Sequence, residues 1–152
     1  MIENKLKSAL LDIKTGVPIE EASRYVDWKD FEGLVAEILE SKNFEVMRNF
    51  RMKNPTMEID VVGTHLGTAV LIDCKHWKRM TNSALEKIVL RQVDRVKHYV
   101  ASTDEVVAAP VIVTLYQEET RFVNRVPIVP IMQFSSFIDE FYGNLERIRT
   151  IE

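Results

Sequence analysis

The sequence predicts an α/β domain: a central mixed β-sheet flanked by helices on both faces. Three observations carry this. Helical periodicity dominates up to about Lys42, three strand-like runs follow in close succession, and a long amphipathic stretch then separates them from two further apolar runs. The order reads approximately ααα-βββ-α-β-β-α.

Residues 3–13 form a short helix with Leu6, Leu10 and Leu11 on one side, stopped near Gly16-Val17-Pro18. Pro18 opens a second short helix through Tyr25. Asp27 caps a longer one from Trp28 to Lys42, whose apolar positions Trp28, Phe31, Leu34, Val35, Ile38 and Leu39 keep the helical period. Asn43 ends it. Strands follow at about Phe44–Met52, Met57–Thr64 and Thr68–His76, with Gly63 and Gly67 bracketing a hairpin turn. From about Asn82 to Ala101 a helix carries Leu85, Val89, Gln92, Val96 and Tyr99 on one face. "VVAAPVIVTLY" supplies a strand weakened near Pro110, "VPIVPIM" a shorter one, and "SSFIDEFYGNL" a last helix with a serine cap. The 152 residues read as one domain: a helical extension over 1–26, a core over 27–132 and a C-terminal helix over 133–152.

Composition removes several classes. Apolar residues make up 46% and charged residues 28%, which is globular rather than disordered. The longest apolar run is too short for a bilayer and the N-terminus lacks the shape of a signal peptide, so the chain reads as cytoplasmic, with no membrane partner. A single cysteine, Cys74, excludes an internal disulfide and a cysteine-rich zinc site. The glycines form neither a P-loop nor a dinucleotide fingerprint, and no paired histidines or Gly-x-Ser-x-Gly elbow occur. The formal charge is −3, yet the segment Cys74 to His98 holds seven basic residues against two acids. Such a patch either steers a polyanion or is an ordinary solvated helix face.

The stretch "TAVLIDCKHWKR" concentrates the chemistry. Acid-x-lysine triplets occur five times, but only Asp73-Cys74-Lys75 ends an apolar strand. Alternation puts Asp73 and Lys75 on one face, roughly 7 Å apart, and turns Cys74 into the opposite core layer. A turn centred on Leu66-Gly67 sets Asp60 opposite Asp73, with Cβ atoms roughly 5 Å apart. Leu66 is a poor residue for a tight primed turn, which leaves the register open by one or two positions. Opposed carboxylates are destabilising unless compensated, and a divalent cation would compensate them. Mg²⁺ bound there would stabilise charge at a phosphodiester and acidify a water, with Lys75 placed to act on the same centre. The competing reading is a surface Asp73–Lys75 pair with Asp60 at an exposed strand edge.

"WKDFEGLVAEILESKNFEV", "EIDVV", "LIDCKHW" and a following helix with a glutamine together resemble the PD-(D/E)XK nucleases, in particular the Mrr-like restriction endonuclease and archaeal Holliday-junction-resolvase-like branches. The resemblance covers about Trp28 to Tyr99 and implies the restriction-endonuclease-like fold and a Mg²⁺-dependent DNA endonuclease, with Mn²⁺ as substitute. Residue by residue it makes Glu32 the helix glutamate near the metal, Asp60 and Asp73 the strand acids, and Lys75 the lysine. The Cys74 carbonyl is a further candidate ligand. Two departures stand out: Ile59 precedes Asp60 where a proline is common, and the second acid is the shorter Asp73.

Glu32 lies at the edge of its helix's apolar stripe, followed by Gly33, a residue that costs about 1 kcal/mol inside a helix and suggests a close approach there. Gln92 falls mid-stripe, where a buried amide needs partners, either at the active-site edge or on a backbone carbonyl. Lys87, Arg91 and Arg95 follow at i, i+4 and i+8 and could track a phosphate backbone, together with Lys78 and Arg79. His76 and Trp77 are either DNA contacts or rim residues; His65 and His98 read as surface. DNA is the expected partner. Cutting both strands calls for two sites, which a homodimer supplies. The alternative is a non-catalytic nucleic-acid-binding module that retains the fold.

Overall fold

The computed structural model describes residues 28–75, 81–103, 106–115 and 119–152. The expected helices before Asp27, the Asp27 cap, and residues His76 to Arg79 lie outside the described residues. Helix α1 (Trp28–Ser41) buries Phe31, Val35 and Leu39. It stops where expected: Asn43 takes the left-handed conformation (φ 68°), and the Phe44 N–H donates back to the Leu39 carbonyl at 3.1 Å.

Strands β1 (Glu45–Met52), β2 (Met57–His65) and β3 (Thr68–Lys75) form an antiparallel meander. Helix α2 (Asn82–Ala101) crosses back to β4 (Val107–Thr114), which runs parallel to β3. Strand β6 (Val126–Pro130) continues the parallel part, and β5 (Arg121–Val123) closes the edge antiparallel to it. The six-stranded sheet of the described residues is therefore mixed, in the order β1-β2-β3-β4-β6-β5. Helix α3 (Ile131–Asp139) and a 3₁₀ turn (Tyr142–Asn144) follow.

Helices lie on both faces, as expected. On one, Phe31, Val35 and Leu39 of α1 and Phe134 and Ile138 of α3 pack with Val61, Val70, Ile72, Cys74, Val111 and Val113. On the other, Val96 and Tyr99 of α2 meet Val62, Ala69, Leu71 and Ala108, while Leu85, Ile88 and Val89 meet Ile112 and Ile128. Strand β3 is covered on both sides, so Thr68 through Cys74 are all buried.

Several local features differ from the sequence reading. The last helix starts at Ile131, capped by Pro130 in extended conformation, rather than at Ser135. Its buried residues Ile131, Phe134 and Ile138 carry the helical period, while Ser135 and Ser136 are exposed in mid-helix. Strand β5 has no counterpart in that reading: three residues are too short for a periodic signal, and a left-handed Asn124-Arg125 turn produces it (φ 51° and 66°). Pro110 does not weaken β4. Residue 110 points its backbone the same way as Ala108, away from β3, and β6 pairs only from Ile112 onward, so no donor is needed there. Ala108 itself exchanges both backbone bonds with Ile151, at 2.9 and 2.8 Å.

Candidate active site

The meander is irregular at one place, and that place makes the site. On β1, Val46 packs on the α1 side while Phe50 and Met52 pack on the α2 side; on β2, Met57 and Ile59 face α2 but Val61 faces α1. Strict alternation would keep Ile59 and Val61 on one face. The change of face falls at Asn49, in the left-handed region at φ 53°, and at Asp60. The β1–β2 ladder keeps its register on either side and skips only the Asn49–Asp60 position. The β2–β3 register is the expected one, with Val61 opposite Ile72, but the ladder ends at that pair. Asp60 and Asp73 lie just beyond it. The backbone N–H of Cys74 lies beyond the last β2–β3 ladder pair, and the Asp60 side-chain carboxylate accepts from it at 2.8 Å.

Asp73 is 6% exposed and Glu32 5%, on β3 and α1 respectively. Burial, chiefly, pushes the Asp60 carboxyl up to about 7; the Cys74 N–H opposes this, while the Asp73 charge, a side-chain hydrogen bond with Asp73 and the Glu32 charge add to it. Acids from two faces of the sheet, Asp73 and Glu32, thus both act on Asp60. Two cations serve Asp73: Lys75 Nζ lies 3.3 Å from Oδ2 and Arg95 Nη1 lies 3.9 Å from the same atom. Gln92, fully buried, donates from Nε2 to the Leu71 carbonyl at 2.8 Å and accepts from Arg95 Nη1 at 3.1 Å. The amide's partners are thus a backbone carbonyl, one of the two alternatives, and the guanidinium of Arg95.

A family model described as restriction endonuclease, with the Mrr catalytic domain as its subject, matches residues 23–117, a span that contains all of these side chains. The chain belongs to the Mrr-like restriction endonuclease family. An uncharacterized protein of Archaeoglobus fulgidus is 29% identical over 119 residues, covering 76% of this chain and 92% of the relative. The small subunit of the heterodimeric restriction endonuclease R.BspD6I superposes with a TM-score of 0.52 at 14% identity, over 94% of this chain and 82% of that one. A crystal structure of a protein of unknown function gives a TM-score of 0.44 at 20% identity, over 70% of this chain; this chain spans 52% of that structure.

In this member of the Mrr-like family the remaining expected site residues sort by position. Lys78 and Arg79 lie outside the described residues. Lys87 and Arg91 are exposed on α2. Arg95, expected in line with them, is only partly exposed and turns inward to Asp73 and Gln92. Successive i, i+4 positions drift about 40° around a helix, which brings the third member of the row to the sheet side. Cys74 is fully buried, and burial pushes its thiol well up, so it acts as a small hydrophobe. The backbone N–H and C=O of one strand residue point to the same edge, so the Cys74 carbonyl faces the side that Asp60 occupies. His65 and His98 are partly exposed.

Two residues escaped the sequence reading altogether. Arg48 of β1 lies against the α1 turn that carries Glu32: a Cβ added at Gly33 would sit 3.7 Å from Arg48 Nη1. That is ordinary contact, so space alone does not require the glycine. Thr114 is paired with Lys75 across the parallel β3–β4 ladder, and its buried hydroxyl makes no hydrogen bond among the described residues. Nothing in a single sequence reveals a parallel register between segments 39 residues apart, and the change of face at Asn49 hides Arg48.

Among the described residues no three His, Cys, Asp or Glu side chains converge closely enough to cage an ion. Asp60 is drawn to the Cys74 N–H, and Asp73 to Lys75 and Arg95. The chemistry of the donor set still fits a hard divalent cation: it is all oxygen, and Asp73 Oδ2 is buried without a hydrogen bond among the described residues. Among the described residues no helix is long and apolar enough to cross a membrane.

Proposed function

We propose that this domain is a Mg²⁺-dependent DNA endonuclease, with Mn²⁺ as an effective substitute. The observation that carries it is the grouping of Glu32, Asp60 and Asp73 with Lys75 where the β2–β3 ladder ends. Like charges are not gathered in a partly buried place for stability. Glu32, Asp60, Asp73 and the Cys74 carbonyl would hold the metal. When bound, Mg²⁺ supplies Lewis acidity toward a phosphodiester and lowers the pKa of a water.

The chain's own residues do the rest. Lys75, partly exposed beside Asp73, directs its ammonium at the attacking water or at charge developing on the phosphate. Asp60, whose carboxyl burial pushes up to about 7 in the metal-free protein, would give up its proton on holding the cation. Gln92 fixes α2 to β3 at Leu71 and so keeps the lysine-bearing strand end in place. Lys87 and Arg91, exposed on α2, with Lys78 and Arg79, neutralise backbone phosphates. We take the chain as one domain with its catalytic part in 27–132, acting in the cytoplasm. Cutting a duplex would use two copies, as a homodimer.

Labelled duplex, flap, junction and single-stranded DNA, together with RNA, incubated in Mg²⁺, Mn²⁺ or EDTA, tests this reading. Metal-dependent cleavage of DNA is the expected result. Binding without cleavage of any substrate would favour the non-catalytic binding module instead.

A further inference from the structure

Arg95 does not behave as a helix-surface arginine reaching for the nearest acid. Its tight contact, 3.1 Å, is to the Oε1 of Gln92. Gln92 is fully buried and its Nε2 is committed to the Leu71 carbonyl, so the amide orientation is set by its partners: nitrogen toward the strand, oxygen toward Arg95. Leu71 stands two residues before Asp73 on the same strand. The contacts therefore close a loop from the β3 backbone through Gln92 and Arg95 to Asp73, and back to β3.

The last link of that loop is the loose one. Arg95 Nη1 approaches Asp73 Oδ2 at 3.9 Å, beyond hydrogen-bond distance, and through a single atom. A structural arginine–carboxylate pair typically closes with two short parallel bonds. Here Asp73 Oδ2 stays buried with no hydrogen bond among the described residues, neutralised by Arg95 and Lys75 without being saturated by either. An oxygen so placed retains a lone pair for another acceptor of electrons.

We infer that Arg95 is a positioning residue that neutralises Asp73 in the metal-free protein and yields it to a divalent cation, so that the Gln92–Arg95 pair sets how tightly the cation binds. The inference rests on the metal-dependent reading of the site. Tethered through Gln92, the guanidinium remains beside the acids after Asp73 is taken. A cation that must displace a neighbouring charge binds more weakly than one that need not.

Calorimetric titration of the full chain with Mn²⁺, without nucleic acid, tests this in wild type, Arg95→Met, Arg95→Lys and Asp73→Asn. Arg95→Met should bind Mn²⁺ more tightly by about threefold to tenfold, the scale of one partly exposed charge contact. Its melting temperature should fall, because the fully buried Gln92 Oε1 loses its 3.1 Å partner, so the Mn²⁺ affinity is the deciding readout. Arg95→Lys keeps the charge without the planar fork and should fall between the two. A merely structural Arg95 gives the opposite pattern in affinity: Arg95→Met binds Mn²⁺ no more tightly than wild type, whatever its melting temperature. That result overturns the inference while leaving the site intact, provided Asp73→Asn still loses binding. If wild type and Asp73→Asn bind Mn²⁺ equally, or neither binds, the metal site itself fails and the inference falls with it.

Discussion

Asp60 carries a cost in the metal-free protein that can be read by titration. Its carboxyl is pushed up to about 7, first by burial and then by Asp73 and Glu32, whereas the unfolded chain loses that proton near pH 4. Below about pH 4 both states hold the proton. Between about 4 and 7 only the folded state does, so the contribution of this group to stability is full at low pH and is lost as pH rises through 7. Asp60→Asn removes the charge and keeps an oxygen for the Cys74 N–H. In EDTA at pH 8 it should stabilise the protein by about 0.5–2 kcal/mol, with little difference from wild type at pH 4, as read by urea denaturation. A variant clearly less stable than wild type at pH 8 would mean that Asp60 serves a structural ion pair. Lys75→Met separates chemistry from binding: cleavage should vanish while DNA affinity stays within about tenfold, or 1.4 kcal/mol, by fluorescence anisotropy. Asp60, Asp73 and Lys75 were legible because spacing along a strand and across a hairpin is fixed by geometry. Arg95, expected in a row with Lys87 and Arg91, turns inward to Asp73 and Gln92. Its position at the edge of the stripe fits either an outward or an inward side chain, and only the presence of Asp73 and Gln92 decides.

At the scale of elements, the hairpin between β2 and β3 sets the register of the whole site. Leu66 and Gly67 both adopt positive φ (51° and 75°), the primed turn whose twist matches the strands. A leucine there is strained, and at 81% exposed it packs against little that would compensate. Leu66→Asn should raise stability by about 0.5–1 kcal/mol, measured as a higher urea midpoint at unchanged slope. No gain would indicate that Leu66 makes contacts worth its strain. On α2, Lys87 and Arg91 remain the outward cations. Changing both to Gln should flatten the log–log salt dependence of duplex binding by about 2, and an unchanged slope would place the nucleic acid elsewhere. Helices α1 and α2 were readable to within a residue because their apolar positions keep the helical period; at the start of α2, Thr81 Oγ1 accepts from the Ala84 N–H at 3.1 Å, a cap the sequence reading did not use. Strand β5 and the true start of α3 were not. One is shorter than any periodic window, and the other begins at a proline that closes a strand and opens a helix at once.

For the whole molecule, a mixed sheet with helices on both faces followed from the order of periodic segments, but the strand order did not. That β6 lies between β4 and β5 depends on a left-handed turn at Asn124-Arg125 and on Arg125, whose guanidinium donates to the carbonyls of Glu146, Arg147 and Ile148. These are long-range choices with no local signature. The same holds for the change of face at Asn49 and Asp60, which frees one acid from the ladder and brings it to the Cys74 N–H. Asp60 meets the Cys74 N–H because the sheet fails to be regular at that point. The most direct test is single-turnover cleavage, by wild type and Asp73→Asn, of whichever labelled DNA is cut best in the substrate panel, in Mg²⁺ and in EDTA. Wild type should cleave only with Mg²⁺, and Asp73→Asn should be slower by about a hundredfold or more. Equal rates in the two proteins, or cleavage by wild type that persists in EDTA, would contradict a metal-dependent site built on Asp73.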